Sequence, residues 1–167
     1  MTKSDPIRPT DAEARTLARD LMTTATYAAL AVTDPATGTP SVTRVALATG
    51  PDGAPITLVS DLSSHTAALR ANAHCALLVG EPGDKGDPLT HPRMTLHTKA
   101  SFLAKDSDAH AQTRDHYLSL RPKAKLYVDF PDFSFVRFEV SGGLMNGGFG
   151  KAFRLAPEDL LAPTPFS

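Results

Sequence analysis

The chain has 167 residues and a net charge of −1, from 17 lysines and arginines against 18 aspartates and glutamates. This balance provides no long-range field that would attract a polyanion, so we expect no nucleic-acid partner. A single cysteine excludes an internal disulfide framework and a multi-thiolate zinc site. No apolar run approaches the roughly 18 residues of a membrane span, so we expect no membrane partner and a cytoplasmic location.

The first predicted element is a helix over residues 11–24. Thr10 is its expected N-cap, and Glu13 stands at the capping-box position three residues later. The ends of the chain, residues 1–9 and 162–167, are expected to be mobile. We therefore predict one domain over residues 10–161.

Short apolar runs between turn residues predict the rest of the fold, since 14 prolines and 11 glycines are spread along the chain. The predicted strands are 27–33, 40–49, 55–60, 74–80, 93–105, 132–141 and 144–155, and the predicted helices are 62–73 and 108–120. Strict alternation over 93–105 indicates one buried and one exposed face. This pattern is typical of a mainly β fold, a closed or partly open antiparallel barrel with short flanking helices.

Common catalytic and phosphate-binding motifs do not fit. No two of the six histidines have the i, i+4 spacing of a metalloprotease helix, so we expect no metal site. The segment 147–151 ends like a P-loop, but Met145 stands where the first glycine is required and Ala152 replaces the Ser or Thr. Nucleotide hydrolysis is therefore disfavoured.

Polar side chains are concentrated where the strand 55–60 gives way to the helix 62–73. They are Ser60, Asp61, Ser63, Ser64, His65 and Thr66. Hydroxyls and free N–H groups at a helix N-terminus suit a phosphate, and simple N-capping is the alternative explanation. Arg44, inside an apolar strand, and Arg93, at the start of another, each need an anionic partner, either a ligand phosphate or a carboxylate.

Three motifs then occur in order: S-D-L-S-S-H-T at 60–66, D-F-S at 132–134 and G-G-F-G-K at 147–151. On these, residues 12–161 resemble the pyridoxamine 5'-phosphate oxidase-related FMN-binding split-barrel superfamily. The nearest branch is the haem-utilisation group, whose extra C-terminal domain we expect to be lacking. The resemblance implies a six-stranded antiparallel split barrel that binds FMN. It also implies a homodimer with cofactor sites at the interface and oxidoreductase activity on a small-molecule substrate.

The resemblance also implies the cofactor-binding residues. The phosphate and ribityl side of FMN would be lined by Arg44, Ser60, Ser64, His65, Thr66 and Arg93. The backbone of Val45 and Ala46 would run beside the isoalloxazine ring. A second copy of the chain would supply Gly147, Gly148 and Phe149, with Lys151 near the cofactor. No residue is identified as a catalytic acid or base.

Departures from the family pattern leave other functions open. His65 and Thr66 stand where the oxidase itself has Arg and Lys, and residues 151–157 lack its late substrate-phosphate segment, so vitamin B6 oxidation is not expected. No histidine follows His116, so the late haem ligand of the haem branch has no counterpart. The alternatives are haem held at its propionates by Arg93, Lys99 and Lys151, a deazaflavin in place of FMN, and a non-enzymatic binding protein.

Overall fold

The structure, a computed structural model, describes residues 5–161. Residues 1–4 and the predicted mobile tail at 162–167 lie outside the described residues. The strands are β1 (Ile7–Arg8), β2 (Tyr27–Thr33), β3 (Pro40–Ala46), β4 (Ala48–Thr49), β5 (Pro55–Ser60), β6 (His74–Val79), β7 (Arg93–Phe102), β8 (Phe133–Asn146) and β9 (Ala152–Leu155). The helices are α1 (Ala12–Thr24), α2 (Ser64–Ala71), α3 (Asp108–Leu120) and α4 (Pro157–Leu160), with 3-10 turns at Pro88–Thr90 and Pro122–Leu126.

Strands dominate the regular structure, which confirms the predicted mainly β fold class. The sheet runs in the order β1-β9-β8-β7-β6-β2-β3, and β5 joins it by pairing with β8. Strands β3 and β5 are in contact but are not hydrogen-bonded to each other, so the barrel is split between them. The prediction of six antiparallel strands is too simple, because the sheet has nine strands within residues 5–161 and β1 pairs in parallel with β9.

Strand β8 is the longest element of the sheet and pairs with three neighbours. Its first five residues face β5, its last four face β9, and β7 runs along most of its other edge. Gly143 is required in it because a Cβ there would lie 2.7 Å from the carbonyl oxygen of Thr95. A bulge interrupts the β7 register between His97 and Thr98, and the Ser141 hydroxyl donates to the His97 carbonyl at 3.1 Å.

The core forms two clusters on the inner side of the sheet. The larger joins α1 to the barrel, and the smaller lies beneath α3 around Tyr117 and Phe135. The alternation predicted for β7 is confirmed, since Met94 and Leu96 are fully buried while His97 is exposed. Each such apolar side chain contributes roughly 1.5–3 kcal/mol by its removal from water.

Several predicted boundaries need correction. Asp11, not Thr10, is the N-cap of α1, and its carboxylate accepts a hydrogen bond from the Ala14 N–H at 2.8 Å. The Thr10 hydroxyl instead donates to the carbonyl of Arg154 at 2.8 Å. The segment 1–9, expected to be mobile, contains the paired strand β1. The predicted strand 40–49 is divided at Leu47, a fully buried residue between β3 and β4.

The cap geometry predicts the effect of Asp11→Ala on stability. Loss of the side-chain acceptor leaves an N–H of the first turn without a partner, and we expect the free energy of unfolding to fall by about 1 kcal/mol. Urea unfolding followed by circular dichroism measures this change. Thr10→Val is the matched control and should cost less, about 0.5 kcal/mol, because it removes only an exposed hydrogen bond. A larger loss for Thr10→Val would identify Thr10 as the cap.

Candidate functional site

The N-terminus of α2 begins four residues after β5 and is not capped by a side chain. Ser63 is the N-cap residue by position, yet its hydroxyl makes no capping hydrogen bond within the described chain. Ser64, the first helical residue, is exposed, and the first turn contains no acidic residue. The capping explanation therefore fails for Ser63. The positive end of the helix dipole and two hydroxyls are available to an anion.

Ser60 and Thr66, both predicted to line a phosphate, make hydrogen bonds within the protein. The Ser60 hydroxyl donates to the Asp132 carboxylate at 2.7 Å and accepts from the Leu62 N–H at 3.1 Å. Thr66 is buried, and its hydroxyl donates to the Ser60 carbonyl at 2.6 Å. These bonds fix the turn between β5 and α2, so neither hydroxyl proton is available to a ligand.

His65 connects α2 to the edge strand β3. Its Nδ1 lies 3.1 Å from the Thr43 hydroxyl oxygen, and the ring is half-buried. Burial lowers the pKa of His65, since a charged imidazolium loses hydration there. At neutral pH the ring is therefore uncharged and acts as a polar contact between the two elements.

Arg44 lies on the outer face of β3, which corrects the expectation that it stands inside a strand-rich core. The side chain is exposed, and its Cζ lies 5.1 Å from the centre of the Tyr27 ring. No carboxylate between residues 5 and 161 comes within salt-bridge distance of it. Since solvent, not burial, now surrounds it, Arg44 does not require an ionic partner but remains free to accept one.

The next two residues of β3 show their backbone at an open sheet edge. Val45 points inward and is 5% exposed, whereas Ala46 is exposed. Both pair with β2 on one side only, because β3 is the last strand of the sheet. A small side chain at Ala46 allows a flat molecule to approach this edge closely.

Arg93 is part of a different region. Its Nη1 donates to the carbonyls of Leu89 at 2.8 Å and His91 at 3.4 Å, which fixes the 3-10 turn before β7. The partner of Arg93 in the structure is therefore backbone carbonyl oxygen, neither of the two anions expected. Its register position is opposite Asn146, at the end of β8.

The turn between β8 and β9 projects an aromatic side chain. Gly147 N–H donates to the Lys151 carbonyl at 2.8 Å, and Phe149 at the tip is 96% exposed. Gly148 and Gly150 on either side have φ values of 129° and 68°, a region that favours glycine. Lys151 is also exposed. Strands β2, β6 and β7 lie between β3 and β8, so one protomer does not bring this turn to Arg44.

An apolar outer face lies between the two regions and is not among the predicted site residues. Leu78 and Leu144 are each 45% exposed, and Val42 is 64% exposed. Ala29 and Thr95 complete a row that runs in register from Arg44 through Leu78 to Leu144. The sequence signal for this face is the nearly continuous apolar run of β2 and β6, which indicates strands that are apolar on both faces.

Comparison with known proteins identifies a family, a similar curated protein and similar solved structures. The family model of pyridoxamine 5'-phosphate oxidase matches residues 15–145. The non-canonical heme oxygenase HOZ, chloroplastic, of Arabidopsis thaliana is 43% identical over 117 residues, which is 70% of this chain and 34% of that protein. This chain therefore spans about a third of the length of the curated relative it matches.

Solved structures agree in fold. The protein Atu2129 (unknown function) from Agrobacterium tumefaciens is 33% identical with a TM-score of 0.79, covering 96% of this chain and 66% of that one. A heme binding protein from Mycobacterium smegmatis is 28% identical with a TM-score of 0.78, covering 92% of this chain and 61% of that one.

The His65 environment predicts a pH dependence of stability. The pKa of His65 is lowered in the folded state from an ordinary value of 6.5, so the unfolded chain binds the proton more readily. This contribution to stability is complete above about pH 6.5 and is lost as the pH falls from there through the lower folded-state pKa. Urea unfolding between about pH 7.5 and about pH 5.5 should show a shallower decline for His65→Asn than for the parent protein. His97→Asn, which replaces an exposed ring, should keep the parent slope; equal slopes in all three proteins would contradict the prediction.

Proposed function

The chain belongs to the pyridoxamine 5'-phosphate oxidase family, and from this membership we propose that it is an FMN-binding flavoprotein with oxidoreductase activity on a small molecule. The observation that carries the proposal is the uncapped N-terminus of α2, with the unused Ser63 hydroxyl. A phosphate monoester dianion suits such a helix end, because backbone N–H groups and the helix dipole both favour negative charge.

The donor set fits a phosphate, though with fewer cations than the family pattern has. Ser63 and Ser64 would supply hydroxyls, and Arg44 on the neighbouring strand β3 would supply the positive charge. His65 is neutral and bonded to Thr43, and Thr66 points inward, so neither replaces the Arg and Lys of the oxidase. Arg44 therefore becomes the main counter-charge in this proposal.

A homodimer would complete the site. The open edge at Val45 and Ala46 suits the flat ring of FMN, but three strands separate β3 from the strand that carries the glycine turn with Phe149 in the same protomer. A second copy packed on the apolar outer face would cover Leu78 and Leu144. It would also bring its own Gly147, Gly148, Phe149 and Lys151 to the ring.

The cofactor and the protein have separate roles in this proposal. When bound, FMN supplies the hydride or electron transfer. The residues of the chain bind the phosphate, hold the ring against β3 and exclude water from it by dimer contact.

Arg44→Ala should weaken FMN binding by about 1.5 to 3 kcal/mol, roughly ten- to a hundredfold in Kd, because a charge-assisted contact with the phosphate is lost. Quenching of flavin fluorescence on titration measures the affinity. Riboflavin, which lacks the phosphate, is the ligand control, and its affinity should be the same for the parent and the variant. Equal FMN affinities would show that Arg44 only stacks on Tyr27.

A second variant separates phosphate binding from helix capping. Because the Ser63 hydroxyl makes no capping bond, Ser63→Ala should leave the unfolding free energy within about 0.5 kcal/mol of the parent while FMN binding weakens. A large stability loss with unchanged FMN affinity would contradict the site.

Haem is the second candidate ligand, and the 43% identity to a heme oxygenase favours it. Lys99 and Lys151 are exposed and could pair with the two propionates, whereas Arg93 is already bonded to backbone carbonyls. Titration of the same protein with haemin distinguishes the candidates. A saturable Soret shift without FMN binding would replace the flavin proposal by a haem-binding one, and a colourless protein that binds neither ligand would leave a non-enzymatic binding protein. A deazaflavin would be recognised by the same titration with that compound.

The proposed dimer predicts the effect of a charge on the outer face. Leu78→Glu would bury an unpaired carboxylate between two copies, so we expect a monomer in sedimentation equilibrium and loss of FMN affinity. Leu126→Glu is the matched control, because Leu126 is 80% exposed in the turn after α3, away from this face. It should leave both the assembly and FMN affinity unchanged. A parent protein that is monomeric at micromolar concentration would contradict the dimer.

A further inference from the structure

The N-terminus of α2 has two backbone N–H groups without a partner. The N–H of Ser63 donates to the Ser60 carbonyl, and the N–H of Thr66 donates to the Ser63 carbonyl, each at 3.1 Å. The N–H groups of Ser64 and His65 make no hydrogen bond within the described part of the chain. These two groups are therefore the backbone donors that are left for an anion at this helix end.

The residue before β8 fixes the turn that leads into this helix end. The Asp132 carboxylate accepts the Ser60 hydroxyl at 2.7 Å, and the same hydroxyl oxygen accepts from the Leu62 N–H at 3.1 Å. The Asp132 carbonyl also accepts from the Asp61 N–H at 2.7 Å. Asp132 thus contacts the turn through both its side chain and its backbone, and the N–H groups of Asp61 and Leu62 are used within the turn.

The residues on both sides of Asp132 have contacts of their own. The Lys105 ammonium donates to the carbonyls of Phe130 and Pro131, the two residues that precede Asp132. The Phe133 ring, directly after it, packs against the Phe130 ring with 6.1 Å between their centres. The fold therefore determines where the Asp132 carboxylate lies, as is required of a residue that supports a binding site from behind.

We propose that Asp132 is a positioning residue for the FMN phosphate, an inference that rests on the proposed function. By holding the Ser60 hydroxyl, Asp132 fixes the turn so that the N–H groups of Ser64 and His65 are aimed at the phosphate before it binds. The carboxylate does not contact the phosphate, because two anions in contact repel each other. Asp132 therefore has two opposite effects: its hydrogen bond places the donors, whereas its negative charge lowers the affinity of the site for a dianion.

Two substitutions at Asp132 separate these effects. Asp132→Asn keeps an oxygen that accepts the Ser60 hydroxyl but removes the charge, so FMN should bind as tightly as to the parent protein or more tightly. Asp132→Ala removes the hydrogen bond as well, so FMN should bind about tenfold more weakly. If Asp132 acted through its charge alone, both variants would bind FMN more tightly, and this result would overturn the proposal.

The ratio of the riboflavin Kd to the FMN Kd reports the contribution of the phosphate alone. This ratio should fall about tenfold in Asp132→Ala while the riboflavin Kd stays unchanged. A riboflavin Kd that rises together with the FMN Kd would overturn the proposal, because Asp132 would then support the whole structure and not the phosphate donors.

Asp129→Ala is the matched control for this ratio. It removes a nearby carboxylate that is paired with Arg114 at 2.6 Å and makes no hydrogen bond to the β5–α2 turn. The ratio should therefore equal that of the parent protein. A fall in this control as large as that in Asp132→Ala would also overturn the proposal.

Ser60→Ala tests the same contact from its other end and keeps the test decisive if Asp132→Ala does not fold. It should lower the ratio as Asp132→Ala does, since the same hydrogen bond is lost. An unchanged ratio in Ser60→Ala would overturn the proposal.

Amide NMR of the ¹⁵N-labelled full chain observes the donors directly. On titration with FMN, the N–H signals of Ser64 and His65 should shift more than those of Ser63 and Thr66, which already have acceptors. Equal affinities of the parent protein for FMN and riboflavin would overturn the proposed phosphate site and this inference with it. A parent that prefers FMN, with the same ratio in Asp132→Ala, would overturn only the role of Asp132.

Discussion

The pairing of β8 with three other strands is the constraint that positions the N-terminus of α2 and the glycine turn with Phe149. At its N-terminal end, Phe133 pairs with Ser60, and the preceding Asp132 accepts the Ser60 hydroxyl, which fixes where β5 stops and α2 starts. At its C-terminal end, β8 turns through the glycines into β9 and presents Phe149. One continuous strand thus sets the position of the helix N-terminus and of the projecting turn, at opposite ends of β8.

Local sequence patterns predicted most strands because each is an apolar run closed by turn residues. The bounds of β2 and β5 agree with the prediction, as do those of α3. Contacts between residues far apart in the chain are not predicted by local patterns. Ser60 lies 72 residues from Asp132, so its hydroxyl counted as free for a ligand although the fold engages it. The apolar run around Arg44 predicts a core position, but side chains alternate between the two faces of β3, and that of Arg44 lies on the exposed face.

The α2 region combines an uncapped helix N-terminus with little positive charge. Thr66 is part of the β5–α2 turn, and His65 is a neutral contact to β3 whose pKa is lowered by burial. Neither side chain adds charge at neutral pH, so the helix dipole, two serine hydroxyls and the exposed Arg44 remain for an anion. Such a set orients a phosphate but adds little positive charge. It therefore provides less binding energy per phosphate than the Arg and Lys of the oxidase pattern.

This weaker phosphate set makes the second copy more important in the proposed dimer. If the partner's turn completes the binding site for the flavin ring, FMN binds the dimer better than the monomer. Linkage then requires FMN to stabilise the dimer by the same free energy. Desolvation of the shared outer face then supplies what the missing cations do not, since Leu78, Leu144 and Val42 are removed from water in the same step. In such an arrangement dimer formation and FMN binding are coupled. A change in the apolar face therefore alters FMN affinity, and a change in the cofactor site alters dimer stability.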